Sequence, residues 1–254
     1  MPTTFTPELL RERITSVLRL DSLISSLPAT LAREDLEQGL RAAAEHHLAS
    51  VQLSRIAPFH GMPVSGEGGY LLHTVPLALT LPLNRPLLRR LAAHLPGDTP
   101  QLEGVRILGI AAALITADLL SFDIPIVLLR VHQSLLEEAP TLVLDWLRED
   151  STSPAAEVSD ESAEGVFHGA LSLLTHSTLE DTLQDRSLWD HAPVTCVLAC
   201  AWFACSGSAL PHTSQPPKHD MLGLVDSIVD HAQMEPPRFE LFTPPALPHE
   251  ASQS

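Results

Sequence analysis

Positive charge is scarce in this chain: 15 Lys and Arg stand against 31 Asp and Glu, a formal net charge of -16 over 254 residues. A nucleic-acid duplex carries dense negative charge and is gripped by a concentrated Lys/Arg face. The one local basic cluster, Arg85, Arg89 and Arg90 with His94, has helical spacing and reads as a solvated face. Direct nucleic-acid binding is therefore not expected, whereas a protein partner, particularly a basic one, fits the charge. Alternation of β-branched residues is nearly absent, which argues against sheet. Cysteine is limited to Cys196, Cys200 and Cys205, an odd number with no C-x-x-C spacing. Within the apolar run V-T-C-V-L-A-C-A-W-F-A-C they read as buried thiols, and a reducing, cytoplasmic compartment is the expectation. The start M-P-T-T-F-T-P-E lacks the basic and apolar parts of a secretory signal. The apolar run from Ile107 to Val131 carries Asp118 and Asp123 and is interrupted by Pro125. Each acid costs about 2.5–3.5 kcal/mol at a helix centre in a bilayer, so a buried helix and a turn are expected, not a membrane span. Gly-rich phosphate loops and nucleophile elbows are missing too.

Helix-forming Leu and Ala dominate the 44% of residues that are hydrophobic, and the expected class is all-α. Thr6-Pro7-Glu8 is a helix start, with a capping hydroxyl, Pro in the first turn and then an acid; that helix should reach about Leu20. Leu36, Leu40, Ala43, Ala44, Leu48 and Val51 recur every three or four residues and predict a helix over 31–53. His46 and His47 lie at the edge of and within that stripe, and as an adjacent pair read as surface or half-buried imidazoles. Further helices are expected over 84–95, 101–120, 124–138, 141–148, 163–174, 192–205 and 221–233, with a turn at Gly97-Asp98-Thr99-Pro100. The acidic, Ser-rich stretch 151–165 has no apolar periodicity and reads as a linker or loop. Pro211–Pro217 reads as a loop, and the Pro-rich stretch 234–254 as a tail whose Phe239, Leu241 and Phe242 can dock on the body or a partner. The organisation expected is a helical domain over 1–150, the linker 151–165, a helical region over 166–233 and the tail 234–254.

Two stretches organise the rest. Ile56 to Leu79 opens as a Gly/Pro-rich loop and becomes an apolar helix carrying His73; the glycines allow positive φ and close approach to a ligand, or simply make a long flexible turn. Pro76 should kink or end that helix about one turn after His73. Ile107 to Leu120 is an almost wholly apolar helix with Asp118 near its end. The run Gly68-Gly69-Tyr70-Leu71-Leu72-His73-Thr74, with Leu77-Ala78-Leu79 behind it, resembles the start of an HD domain, a helical metal-dependent phosphohydrolase. It is similar to the N-terminal HD-like region of MobH-class relaxases of integrative conjugative elements. The resemblance reaches upstream through 36–51 and downstream to Ala112–Ile115 and Leu144-Asp145-Trp146-Leu147, about Leu20 to Arg148. It implies an HD-like helical bundle with extra C-terminal helices, a link to conjugative DNA transfer and, in active members, a divalent cation such as Mn, Fe, Mg or Zn.

The departures bear on function. Where that family carries its adjacent His-Asp pair, this chain has Thr116 and Ala117. Asp118 follows one residue later, roughly 100° further round a helix. Leu72 replaces the acid before the first His, and of the His-rich loop only a displaced His60 remains. His73 alone matches among the ligands, and one imidazole does not hold such an ion. Read from its neighbours Leu71, Leu72 and Val75, His73 is a core or helix-start imidazole. Asp118 in an apolar helix is costly unless paired, so an Arg or His partner is expected. His219-Asp220 spells the family dipeptide, but Asp220 reads as a helix cap; Asp226, Asp230 and His231 read as a solvated acidic face. The expected function is thus a non-catalytic, HD-like accessory or interaction protein with no cofactor. The alternative is a metal-dependent phosphohydrolase of nucleotides or nucleic-acid ends using a relocated set around His60, His73, Asp118 and His132. A small-molecule-binding helical bundle is a third reading that the sequence does not separate from the first.

Overall fold

A computed structural model describes residues 6–24, 39–52, 68–95, 103–148, 162–210 and 219–233. The sequence expectations for the Gly97–Pro100 turn, His60 and most of its loop, the linker up to residue 161, the Pro211–Pro217 loop and the Pro-rich tail lie outside the described residues, as do residues 31–38 of the second helix.

The fold is all-α: the described residues contain helices and no strand. In chain order these are α1 (Pro7–Ile24), α2 (Gly39–Gln52), a 3-10 turn (Gly69–His73), α3 (Thr74–Thr80), α4 (Arg85–Ala92), α5 (Glu103–Leu119), α6 (Ile124–Leu135), α7 (Thr141–Trp146), α8 (Ala163–His176), α9 (Leu179–Gln184), α10 (Arg186–His191), α11 (Pro193–Cys205) and α12 (His219–Gln233). Local chemistry starts several of them. The Leu9 amide donates to Thr6 Oγ1 at 3.2 Å, the Leu87 amide to Asn84 Oδ1 at 3.2 Å and the Gly165 amide to Ser162 Oγ at 3.0 Å, each satisfying a donor that a first turn leaves unpaired. α11 ends at Gly207, where a φ of 89° lets the Ser208 amide reach back to the Phe203 carbonyl.

Pro76 does not end its helix about one turn after His73, as its sequence position led us to expect; α3 runs on to Thr80. It is the third residue of α3, where the donor it lacks would be unpaired anyway, and the irregularity lies upstream in the 3-10 turn. α1 is also longer than expected and absorbs Leu23. α9 and α10 have no counterpart in the sequence reading.

α11, and α5 from Leu108 to Ile115, are apolar on every side, the signature of helices enclosed by others. α5 packs against α3, α4, α6, α8 and α11; α11 packs against α1, α5, α8, α9 and α10. Buried side chains form one cluster from Leu10 of α1 to Ala232 of α12, so residues before and after the 151–165 stretch share a core. α1 lies on both α11 and α12.

Of the glycines before His73, Gly61 and Gly66 lie outside the described residues, and Gly68 sits against the chain itself. A Cβ on Gly68 would come within 2.4 Å of Val166 Cγ2. Gly68 therefore permits close approach of the 3-10 turn to α8, and its φ of -87° is open to any residue.

Candidate functional site

The candidate site is the region around His73 and the end of α5. The 3-10 turn and α3 are buried along their whole length, because this stretch carries apolar residues on all faces and packs against α2, α5 and α11. His73 is thereby carried inside, at 6% exposure.

α2 brings His47 to it. His47 is also buried, a correction to its reading as a surface or half-buried imidazole. It follows Ala43 and Ala44 by one helical turn and so shares their inward face. Burial lowers the His47 pKa from 6.5 to about 3, and the nearby His73 and His46 imidazoles push in the same direction. His47 is neutral at ordinary pH, with Nε2 buried and without a hydrogen-bond partner. The His46 and His47 rings meet edge-on with centroids 5.6 Å apart, and His46 Nε2 lies 3.4 Å from Ser50 Oγ. The sequence reading had no grounds to bring His47 to His73, since α2 and the 3-10 turn are joined through residues 53–67 and only packing decides which face of α2 meets it.

At the end of α5, the position expected of a metal-binding His holds Thr116. Its hydroxyl donates to the Ala112 carbonyl at 2.8 Å and accepts from Trp202 Nε1 of α11 at 3.0 Å. The Trp202 ring stands edge-on to Phe167 of α8, centroids 6.0 Å apart. Ala117 is buried as well. Thr116 thus ties α5 to α11 in the interior.

Asp118 is 5% exposed and has the cationic partners its burial demands. Oδ1 accepts from Arg85 Nη1 at the start of α4, and Oδ2 accepts from Arg130 Nε of α6 at 3.1 Å. Arg130 also lies over the Phe122 ring, 4.3 Å from its centroid. Arg89 donates to Ser134 Oγ at 2.9 Å and to Glu138 Oε1 at 2.7 Å. The basic cluster 85–94 is therefore not simply a solvated face. Arg85 and Arg89 turn from α4 towards α5 and α6 and clamp the three helices together, because Asp118 and Glu138 lie within their reach.

His132 sits on α6, half-buried, and its Nε2 is buried without a hydrogen-bond partner. Among the described residues no three His, Cys, Asp or Glu side chains are grouped as a metal ion would require, so His73, Asp118 and His132 do not form one cluster; His60 lies outside those residues. Asp220 is a correction of detail: it is the second residue of α12, not the residue preceding it. It pairs with Arg41 of α2, which holds its carboxyl below the usual range. Asp226 and Asp230 are exposed, and Asp226 pairs with Arg11 at 2.9 Å. The three cysteines of α11 are buried and form no disulfide; burial pushes the Cys200 and Cys205 thiols up to about 12, far from nucleophilic use.

What this arrangement can do chemically is limited by bonding. The Asp118 carboxylate is committed to two guanidiniums and the Thr116 hydroxyl to a backbone carbonyl and an indole, while His47 and His73 are buried imidazoles. No helix among the described residues is long and apolar enough to cross a membrane. No family model matches the chain, and no curated protein and no solved structure matches it.

Proposed function

We propose that this chain is a non-catalytic helical protein on an HD-like scaffold, working through contact with a protein partner, with a place in conjugative DNA transfer. The observation that carries the non-catalytic reading is the bonding of Asp118: a carboxylate that neutralises both Arg85 and Arg130 has no spare charge for a cation. Thr116, bonded to Trp202, supports it. The link to conjugation rests on the resemblance around Gly68–Thr74 alone. The net charge of -16 favours a basic partner. Elemental analysis of purified protein tests the reading: no metal at stoichiometric level is the expected result. One equivalent of Mn, Fe, Mg or Zn that disappears in His73→Ala would overturn it.

One observation favours the alternative, a metal-dependent phosphohydrolase: the buried His47 imidazole beside His73, with Nε2 unpartnered. In that case a panel of nucleotides and nucleic-acid ends would include a substrate releasing phosphate only with added metal, and His73→Ala would abolish the release.

A further inference from the structure

A cleft of about 300 Å³ lies away from His73, between the start of α6, the end of α7 and the outer face of α8. This is the low end of the size range of small-molecule sites. Its floor is apolar, with Leu128 of α6 and Leu171 of α8 both buried. One wall is aromatic: the Trp146 and His168 rings stack at 4.7 Å with an 11° interplanar angle. Its rim is polar, from Arg148, His176 and Ser172. The chain has twice as many acids as bases, yet among the described residues no Asp or Glu lines this cleft. Burial lowers the His168 pKa, so that imidazole is a neutral hydrogen-bonding group and the fixed positive charge is that of Arg148. Among the described residues Arg148 pairs with Asp145 one turn back, at 3.2 Å and exposed, and an exposed ion pair of this kind is weak. A ligand anion can displace it.

We propose that this cleft binds a small planar aromatic anion, its ring lying on Leu128, Leu171 and the Trp146–His168 wall, its carboxylate held by Arg148. An apolar floor takes the ring by desolvation, the stacked pair supplies flat contact for another aromatic, and a guanidinium recognises a carboxylate through two parallel hydrogen bonds. The site is independent of the metal question, since it uses neither His73 nor Asp118.

The test is titration of the full chain with 2-naphthoate, alongside neutral 2-naphthylmethanol, read by calorimetry and tryptophan fluorescence. Trp189 and Trp202 are enclosed in the core, so quenching reports on Trp146. Saturable 2-naphthoate binding is expected, with the alcohol about tenfold weaker, the size of effect of one charge-assisted hydrogen bond. Arg148→Ala, at an exposed position, should remove that preference while leaving circular dichroism unchanged. Ser172→Phe, which fills the cleft from its half-buried edge, should abolish binding of both probes in a folded protein. Absence of saturation, equal affinity for acid and alcohol, or an acid preference that persists in Arg148→Ala would overturn the proposal.

Discussion

Asp118 shows how a residue can look like a ligand in sequence and serve as a structural ion in space. The two arginines are 27% and 40% exposed at their side chains, while the carboxylate is 7% exposed, so the cost of breaking the group is unequal. Arg85→Ala with Arg130→Ala strands a buried charge and should lower stability by about 3 kcal/mol. Asp118→Asn leaves two guanidiniums that water can still reach and should cost clearly less, about 1 kcal/mol. Urea unfolding of both variants measures the difference; equal losses would contradict the assignment of Asp118 as the desolvated partner. That Asp118 needed a cation was legible from its apolar helix, but the identity of Arg85 and Arg130 was not, because they reach it from two other helices. His47 makes a second residue-scale prediction. Its folded pKa of about 3 lies below the unfolded value of 6.5, so the unfolded chain binds the extra proton between those values. The contribution of the neutral imidazole is fully present above pH 6.5 and is lost as pH falls towards 3. His47→Leu removes this titration and a buried unpartnered nitrogen, and should gain about 1 kcal/mol at pH 7. A shallower loss of stability between pH 6 and 4 than in the parent is the result to look for.

At the scale of elements, the contact of the 3-10 turn with α8 depends on one missing methyl. Gly68→Ala would place Cβ against Val166, and overpacking of this kind costs about 1–3 kcal/mol. Combining it with Val166→Ala should recover part of the loss, measured as a shift in thermal midpoint; no recovery would mean that the glycine serves something other than close approach. Most elements were legible because their caps and stripes are local: Thr6, Asn84 and Ser162 each begin a helix and each accepts from an amide three residues on. α9 and α10 escaped because six residues are too few for a periodic stripe. Their signals were there in the caps, Thr178 accepting from Asp181 and Asp185 accepting from Leu188. The place of α11 was underestimated for a different reason. A wholly apolar helix announces that it is buried but not what surrounds it, and the Trp202–Thr116 bond joins residues 86 apart in sequence.

For the whole molecule, the shared core is the consequential feature. α1 packs on α11 and α12, and α5 on α8 and α11, so the described helices before residue 150 bury apolar faces against those after it. Thermal unfolding followed by helical circular dichroism and by tryptophan fluorescence should give coincident transitions. A fragment ending at residue 150 should be poorly folded, since it leaves the α11-facing sides of α1 and α5 uncovered; a fragment with native-like helicity and a sharp transition would contradict this. Composition read the class correctly, but which side chains converge on His73 depended on the packing of helices far apart in sequence. On the proposed reading, the donors around His73 and the end of α5 belong to the core and grip no cation. Its most direct test is titration of chelator-stripped protein with Mn²⁺, followed by the loss of the free-ion electron paramagnetic resonance signal, in the parent and in His73→Ala. Weak loss of signal, identical in the two proteins and caused by exposed acids, is expected. Saturation at one ion per chain that vanishes in His73→Ala would contradict it.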